Sequence, residues 1–309
     1  MDSRQLFCTF LVCVTVPFVT SHVRAGESWS LEHDGHKRTF IVHAPASVLK
    51  QKPASLVFVF HGGGGNGEKT ARLTHFDREA DRQGFIVVFP DGLYKNWNDG
   101  RSPDVSREHE EQIDDVGFVV AIIDTLQKVY TIDPRRIYAT GISNGAFFSH
   151  YLAARRSDLF AAIAPVSGGI AIPFDKVFHP LQPVSVLIIQ GTDDPLVPYE
   201  GGGVLRGRRG SLIPTVEAVH KWVMADGCTD SPVVEKLPDR DCEDGCAEVR
   251  TCWTSCAHGT AVELLRIEGG GHTWPGGAQY LPAWLIGNVC RDFDATEEIW
   301  KFFKNHPRR

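Results

Sequence analysis

Short runs of β-branched and aromatic residues, each closed by a glycine- or aspartate-bearing turn and followed by a helical segment, constrain this chain most. Leu56–Phe60 reads LVFVF and ends at HGGGGNG, after which Lys69–Gln83 has helical spacing. Phe85–Phe89 reads FIVVF and ends at PDG, and Arg136–Ala139 leads into TGISNG and the helical Ala146–Arg156. Ala161–Val166 and Val184–Gln190 are further apolar runs, and Asp115–Val129 is amphipathic with an aspartate at its start. Ala295–Asn305 is expected as a closing helix, with Asp294 and Glu297 spaced as a capping box. Strands this uniformly apolar are buried on both faces, so the pattern predicts an α/β fold. Its central sheet should be mostly parallel, with helices on both sides. Ligands in such folds bind beyond the carboxyl ends of the strands, where each of these turns lies.

Leu6–Val19 is almost continuously apolar, Arg4 precedes it, and Val23-Arg24-Ala25 offers a cleavage site. This predicts a secretory signal peptide over residues 1–25, because the run is shorter than the roughly 20 residues of a membrane span. The expected product is secreted, extracellular or periplasmic, with no membrane anchor. No Pro/Ser/Gly linker divides residues 26–309, which read as one domain without a large separate lid. A formal charge of −6 argues against a nucleic-acid partner. Nothing in the sequence sets an oligomeric state.

Cys8 and Cys13 leave with the signal peptide, and Cys228, Cys242, Cys246, Cys252, Cys256 and Cys290 remain. An even number in an exported chain predicts three disulfides. The Cys-x3-Cys-x5-Cys-x3-Cys run lacks the widely separated pairs of a zinc site, so no metal is expected.

Gly141-Ile142-Ser143-Asn144-Gly145 matches Gly-x-Ser-x-Gly between a strand and a helix. That context marks Ser143 as a nucleophile lifted above the sheet, against the alternative of an ordinary glycine-rich turn. Serine needs a base held by a carboxylate, in the order Ser, Asp or Glu, His. Gly191-Thr192-Asp193-Asp194 follows one strand and Gly269-Gly270-Gly271-His272 another, which makes His272 the candidate base. Asp193 and Asp194 compete for the acid. The oxyanion hole should combine the N–H groups of Asn144 and Gly63, with Gly64 as a substitute. A P-loop reading of Gly62-x4-Gly67 fails because Glu68 precedes Lys69.

With HGGGGNG, FPDG, DDVGFV, YATGISNGAFFSHYLA, AAIAPVSG, GTDDPLVPY and GGGHTWPGG in that order, the chain resembles a known family. It is similar to the secreted polyhydroxybutyrate depolymerase and feruloyl esterase-like α/β-hydrolases, from about Arg38 to Phe303. The resemblance implies the α/β-hydrolase fold and a serine esterase with the triad Ser143, Asp194 and His272. It selects Asp194 through the Gly-x-x-Asp spacing before PLVP, and it implies a Cys228–Cys256 pair. The expected substrates are carboxylic esters, such as feruloyl or acetyl polysaccharide esters or polyhydroxybutyrate-type polyesters. No metal or organic cofactor is required. One departure lies between PDG and DDVGFV, where many relatives carry a Gly- and Cys-rich loop but this chain has NWNDGRSPDVSREHEEQ.

Trp97, Trp274 and Trp284 are candidates for stacking an aromatic acyl group or a sugar, against a packing role. The competing functional readings are a non-catalytic binding protein and a peptidase, both on the same fold.

Overall fold

The apolar runs become a ten-stranded sheet. The computed structural model describes residues 26–48 and 53–309, so the expected signal peptide lies outside the described residues. In chain order the strands are β1 (Glu27–His33), β2 (His36–His43), β3 (Ala54–Phe60), β4 (Ile86–Pro90), β5 (Ile132–Ile142), β6 (Ala162–Val166), β7 (Ala171–Ile172), β8 (Ser185–Gly191), β9 (Gly202–Gly203), β10 (Ser211–Leu212), β11 (Val233–Lys236), β12 (Ala247–Trp253) and β13 (Val262–Glu268). The main sheet runs β1-β2-β4-β3-β5-β6-β8-β13-β12-β11. From β4 to β13 neighbours are parallel, and antiparallel strands flank both edges.

β3, β4, β6 and β8 are buried along their full length, as expected for strands covered on both faces. The covering helices are α1 (Gly67–Thr74), α2 (Phe76–Gln83), α3 (Arg107–Glu110), α4 (Asp115–Gln127), α5 (Asn144–Arg155), α6 (Thr215–Ala225), α7 (Ala283–Ile286) and α8 (Ala295–Asn305). One core face gathers Leu56, Phe58, Phe118, Phe148 and Trp222, and the other gathers Val57, Phe85, Tyr138, Trp300 and Phe303. The described residues form no separate lid domain.

The single helix expected over 69–83 is two. His75 takes φ 52 between α1 and α2. The Thr74 carbonyl accepts the Thr296 hydroxyl, so α8 takes the group that a continuous helix would have used. Asp294 caps α8 through the Thr296 and Glu297 amides, while the Glu297 carboxylate pairs with Arg82 rather than closing a reciprocal box.

The expectation of three disulfides is corrected. Cys228 and Cys256 are bonded, whereas Cys242, Cys246, Cys252 and Cys290 are free. The four cysteines of the Cys-x3-Cys run do not gather around one point. Instead Cys246 and Cys290 meet acidic groups: Asp244, Cys246 and Cys290, and also Glu248, Cys290 and Asp292, bring ligand atoms within 4.8 Å of one another. These residues come from 244–248 and 290–292, so local spacing could not reveal them.

Candidate active site

The turn between β5 and α5 is set by two close approaches. A Cβ on Gly141 would lie 2.7 Å, and one on Gly145 2.4 Å, from the Phe60 carbonyl oxygen on neighbouring β3. Only glycine fits on either side of Ser143. Ser143 is held at φ 58, ψ −122, a conformation that costs energy for any residue with a Cβ and that projects its hydroxyl above the sheet.

β8 and β13 are parallel neighbours with Gly191 opposite Ile267, so the loops leaving them lie side by side. The Thr192 N–H donates to Ile267 O at 2.9 Å and the Asp193 N–H to Gly270 O at 3.0 Å, tying the loops together. His272 Nδ1 donates to Asp194 Oδ2 at 2.8 Å. Asp194 Oδ1 accepts the Leu196 and Val197 amides, both at 2.8 Å, which locks the carboxylate. With Nδ1 occupied as a donor, Nε2 is the ring nitrogen left to accept a proton. Asp193 is exposed, and its carboxylate accepts the Thr192 hydroxyl at 2.9 Å. Both side chains of the Asp194–His272 pair are buried.

The glycine loop after β3 faces the same place. Gly64 donates its N–H to Lys95 O at 2.8 Å and Gly65 to Gly62 O at 2.9 Å, which leaves Gly63, rather than Gly64, with an N–H uncommitted among the described residues. Buried His61 donates from Nδ1 to Gly62 O and accepts the Gly92 N–H at Nε2, and burial lowers its pKa. A neutral imidazole therefore fixes the loop.

Ser143, Asn144, His272, Gly62, Gly63 and Gly64 line one cavity of about 780 Å³. Its apolar wall includes Leu73, Val105, Phe147, Leu196, Val204 and Leu281.

The expectations for Trp97 and Trp274 are corrected. Trp97 is fully buried, donates from Nε1 to His61 O at 3.0 Å and stacks on Phe148. Trp274 is buried, donates to the Thr296 hydroxyl and packs edge-on against Phe76. Trp284 is 84% exposed and does not line the cavity. Trp97 and Trp274 are interior, because each indole nitrogen finds its partner inside the protein.

Sequence reasoning missed a buried polar network that holds Asn144. Asn144 Oδ1 accepts the Trp97 N–H at 2.8 Å, and Nδ2 donates to Asp99 Oδ2 at 2.6 Å. Asp99 also accepts Arg101 Nη2 at 2.6 Å and His109 Nε2 at 2.8 Å. Burial alone would raise the Asp99 carboxyl, but the Arg101 charge and the His109 and Arg101 hydrogen bonds outweigh it and hold it well below the usual carboxylate range. Nearby, Asp115 accepts Arg38 Nη2 at 2.6 Å and the Asn98 N–H at 2.8 Å. Burial nonetheless pushes its carboxyl up to about 6. The charged stretch NWNDGRSPDVSREHEEQ is thus folded inward at Asp99, Arg101 and His109. A run of charges carries no local signal separating buried from solvated members, and only the neighbouring Trp97 hinted at a packed loop.

The fold and this arrangement place the chain among the α/β-hydrolases. A solved structure of the acetyl xylan esterase from Aspergillus awamori superposes with a TM-score of 0.60, covering 91% of this chain and 100% of that one at 14% identity. Residues 39–210 match the family described as esterase PHB depolymerase, and the chain belongs to that family. It is a carboxylic-ester hydrolase. The relatives include the putative esterase NocK of Nocardia uniformis subsp. tsuyamanensis, 30% identical over 87% of this chain and 79% of that protein. Feruloyl esterase B of Piromyces equi is 30% identical over 76% of this chain and 42% of its own length.

Proposed function

We propose that the protein is a secreted serine esterase acting through Ser143, His272 and Asp194 and an acyl-enzyme. The observation that carries this reading is convergence: a strained serine, an imidazole held by a buried carboxylate, and a glycine loop with an uncommitted N–H all line one cavity. His272 Nε2 takes the Ser143 proton as the hydroxyl attacks the ester carbonyl. Asp194 holds the imidazole in the required tautomer and stabilises its charged form. The N–H groups of Gly63 and Asn144 receive the oxyanion. The alcohol leaves with a proton from His272, and water then releases the acid and regenerates Ser143.

The substrates that fit this reading are feruloyl or acetyl polysaccharide esters and polyhydroxybutyrate-type polyesters. Ser143→Ala should abolish hydrolysis of a short p-nitrophenyl ester while the thermal unfolding midpoint holds; retained turnover would refute the nucleophile. Comparing methyl ferulate, an acetylated xylan and a hydroxybutyrate oligomer then separates the substrates. The secretion reading rests on residues 1–25, and mass analysis of the exported protein should find a new amino terminus after Ala25.

A further inference from the structure

The chain has 38 acidic and 32 basic residues, yet the walls of the catalytic cavity reverse that balance. Lys69, Arg72, Lys95, Arg101 and Arg209 line the cavity, and among the described residues no aspartate or glutamate does. Two of the five are already neutralised. Arg101 is consumed by buried Asp99, and Arg72 pairs with Glu68. Lys69, Lys95 and Arg209 are exposed, and none of them makes an ion pair among the described residues.

An isolated surface lysine is ordinarily just a solvated group. These three differ in that separate segments bring them to one opening. Lys69 stands in the first turn of α1, with its amide fixed by Asn66 Oδ1 at 2.9 Å. Lys95 stands after β4 at φ 66, and its carbonyl accepts the Gly64 N–H, so its backbone is fixed to the glycine loop. Arg209 stands between β9 and β10, and its carbonyl accepts Arg101 Nη1 at 2.8 Å. A cleft lined by one sign of charge with low-dielectric walls concentrates ligands of the opposite sign.

We propose that the cavity selects esters carrying an ionised carboxylate, which Lys69, Lys95 and Arg209 recognise while the apolar wall takes the remaining acyl or aromatic part. This rests on the Ser143–His272–Asp194 reading and narrows its substrate. The carboxylate belongs to either side of the scissile bond: a dicarboxylic half-ester or a hydroxyacid chain end on the acyl side, or a uronic or aromatic acid on the alcohol side.

Two matched pairs separate those sources. Monophenyl adipate against phenyl hexanoate places the charge on the acyl side. 4-Acetoxybenzoate against methyl 4-acetoxybenzoate places it on the alcohol side. Each kcat/KM is normalised to the ester's rate with hydroxide, which removes intrinsic reactivity. In at least one pair the anionic member should be preferred about ten-fold or more at about 20 mM salt, shrinking several-fold at about 0.5 M as the charges are screened. The triple variant Lys69→Gln, Lys95→Gln, Arg209→Gln should bring that ratio to within about two-fold of parity. Turnover of the neutral esters with no anionic preference in either pair, or a preference that survives in the triple variant, overturns this inference and leaves the esterase reading standing. No turnover of any of the four esters, together with no labelling of Ser143 by a fluorophosphonate, overturns both.

Discussion

Asp193 and Asp194 are adjacent in sequence and opposite in environment. Their side chains diverge across the turn, so Asp194 points inward to His272 and the Leu196 and Val197 amides while the exposed Asp193 carboxylate accepts the Thr192 hydroxyl. Composition and spacing could not separate them, and only the resemblance to related esterases favoured Asp194. Asp194→Asn should lower kcat by about 10³- to 10⁴-fold, because the imidazole loses the acceptor that fixes its tautomer. Asp193→Asn should change kcat by less than about three-fold, since exposed substitutions away from special features are mild. Steady-state kinetics on one p-nitrophenyl ester, with both variants checked for an unchanged circular dichroism spectrum, decides the point. Equal losses would remove Asp194 from its proposed role. Asp99 poses a different problem at the same scale, because it is the counter-charge of a buried guanidinium. Asp99→Ala strands Arg101 in the interior and should cost about 3–5 kcal/mol in urea unfolding. It should also lower kcat by freeing Asn144.

Elements were legible where both faces are buried and obscure where one face is wet. LVFVF and FIVVF declared themselves because every position is apolar, and VSVLIIQ because only Ser185 and Gln190 interrupt it. The edge strands did not: β1 alternates between half-buried and exposed positions, and β11 is exposed along its whole length, so neither offers a continuous run. The break at His75 was hidden for another reason. The Thr74 carbonyl just before it is taken by Thr296, from a helix more than two hundred residues away, and no local pattern encodes that contact. A third element carries a pH signature. Asp226 follows α6 and is fully buried, and its carboxylate accepts the Val184 N–H at 3.0 Å. Burial outweighs that bond and pushes its carboxyl up to about 7, from 3.8 in the unfolded chain. Between those values the native state keeps a proton that the unfolded state has released. Stability from this group is therefore complete below pH 3.8 and is lost as pH rises through 7. Asp226→Asn should be near neutral at about pH 4 and stabilising by about 4 kcal/mol at about pH 8, read from urea midpoints at each pH. A gain that is the same at both pH values would refute the buried-acid account.

On the scale of the whole molecule, the sheet separates chemistry from covalent bracing. The site was largely legible because Ser143, Asp194 and His272 each follow a strand run at its carboxyl end. The basic lining of the cavity was not, because Lys69, Lys95 and Arg209 share no motif. The cysteines illustrate the same divide. Five of them crowd into residues 228–256 ahead of His272, which suggests crosslinks that brace the segment presenting the base. The bond that forms does something else. Cys228 lies just past α6 and Cys256 before β13, with Ala257 donating to Asp226 O at 2.8 Å, whereas His272 follows the other end of β13. Seven residues of strand separate the two regions, roughly 23 Å at about 3.3 Å per residue. The bridge closes a loop of 28 residues, and restricting that loop in the unfolded chain is worth about 3.5 kcal/mol on the chain-entropy account. Removing it with Cys228→Ala and Cys256→Ala together should therefore lower the unfolding midpoint by several degrees, at about 2–4 °C per kcal/mol for a domain of this size. Activity should respond differently: kcat/KM at 25 °C should stay within about two-fold, because the loops carrying Asp194 and His272 are tied to each other by Thr192–Ile267 and Asp193–Gly270 and not by sulfur. A fall in kcat at a temperature where the double variant is still fully folded would show that the far end of the sheet positions His272 after all.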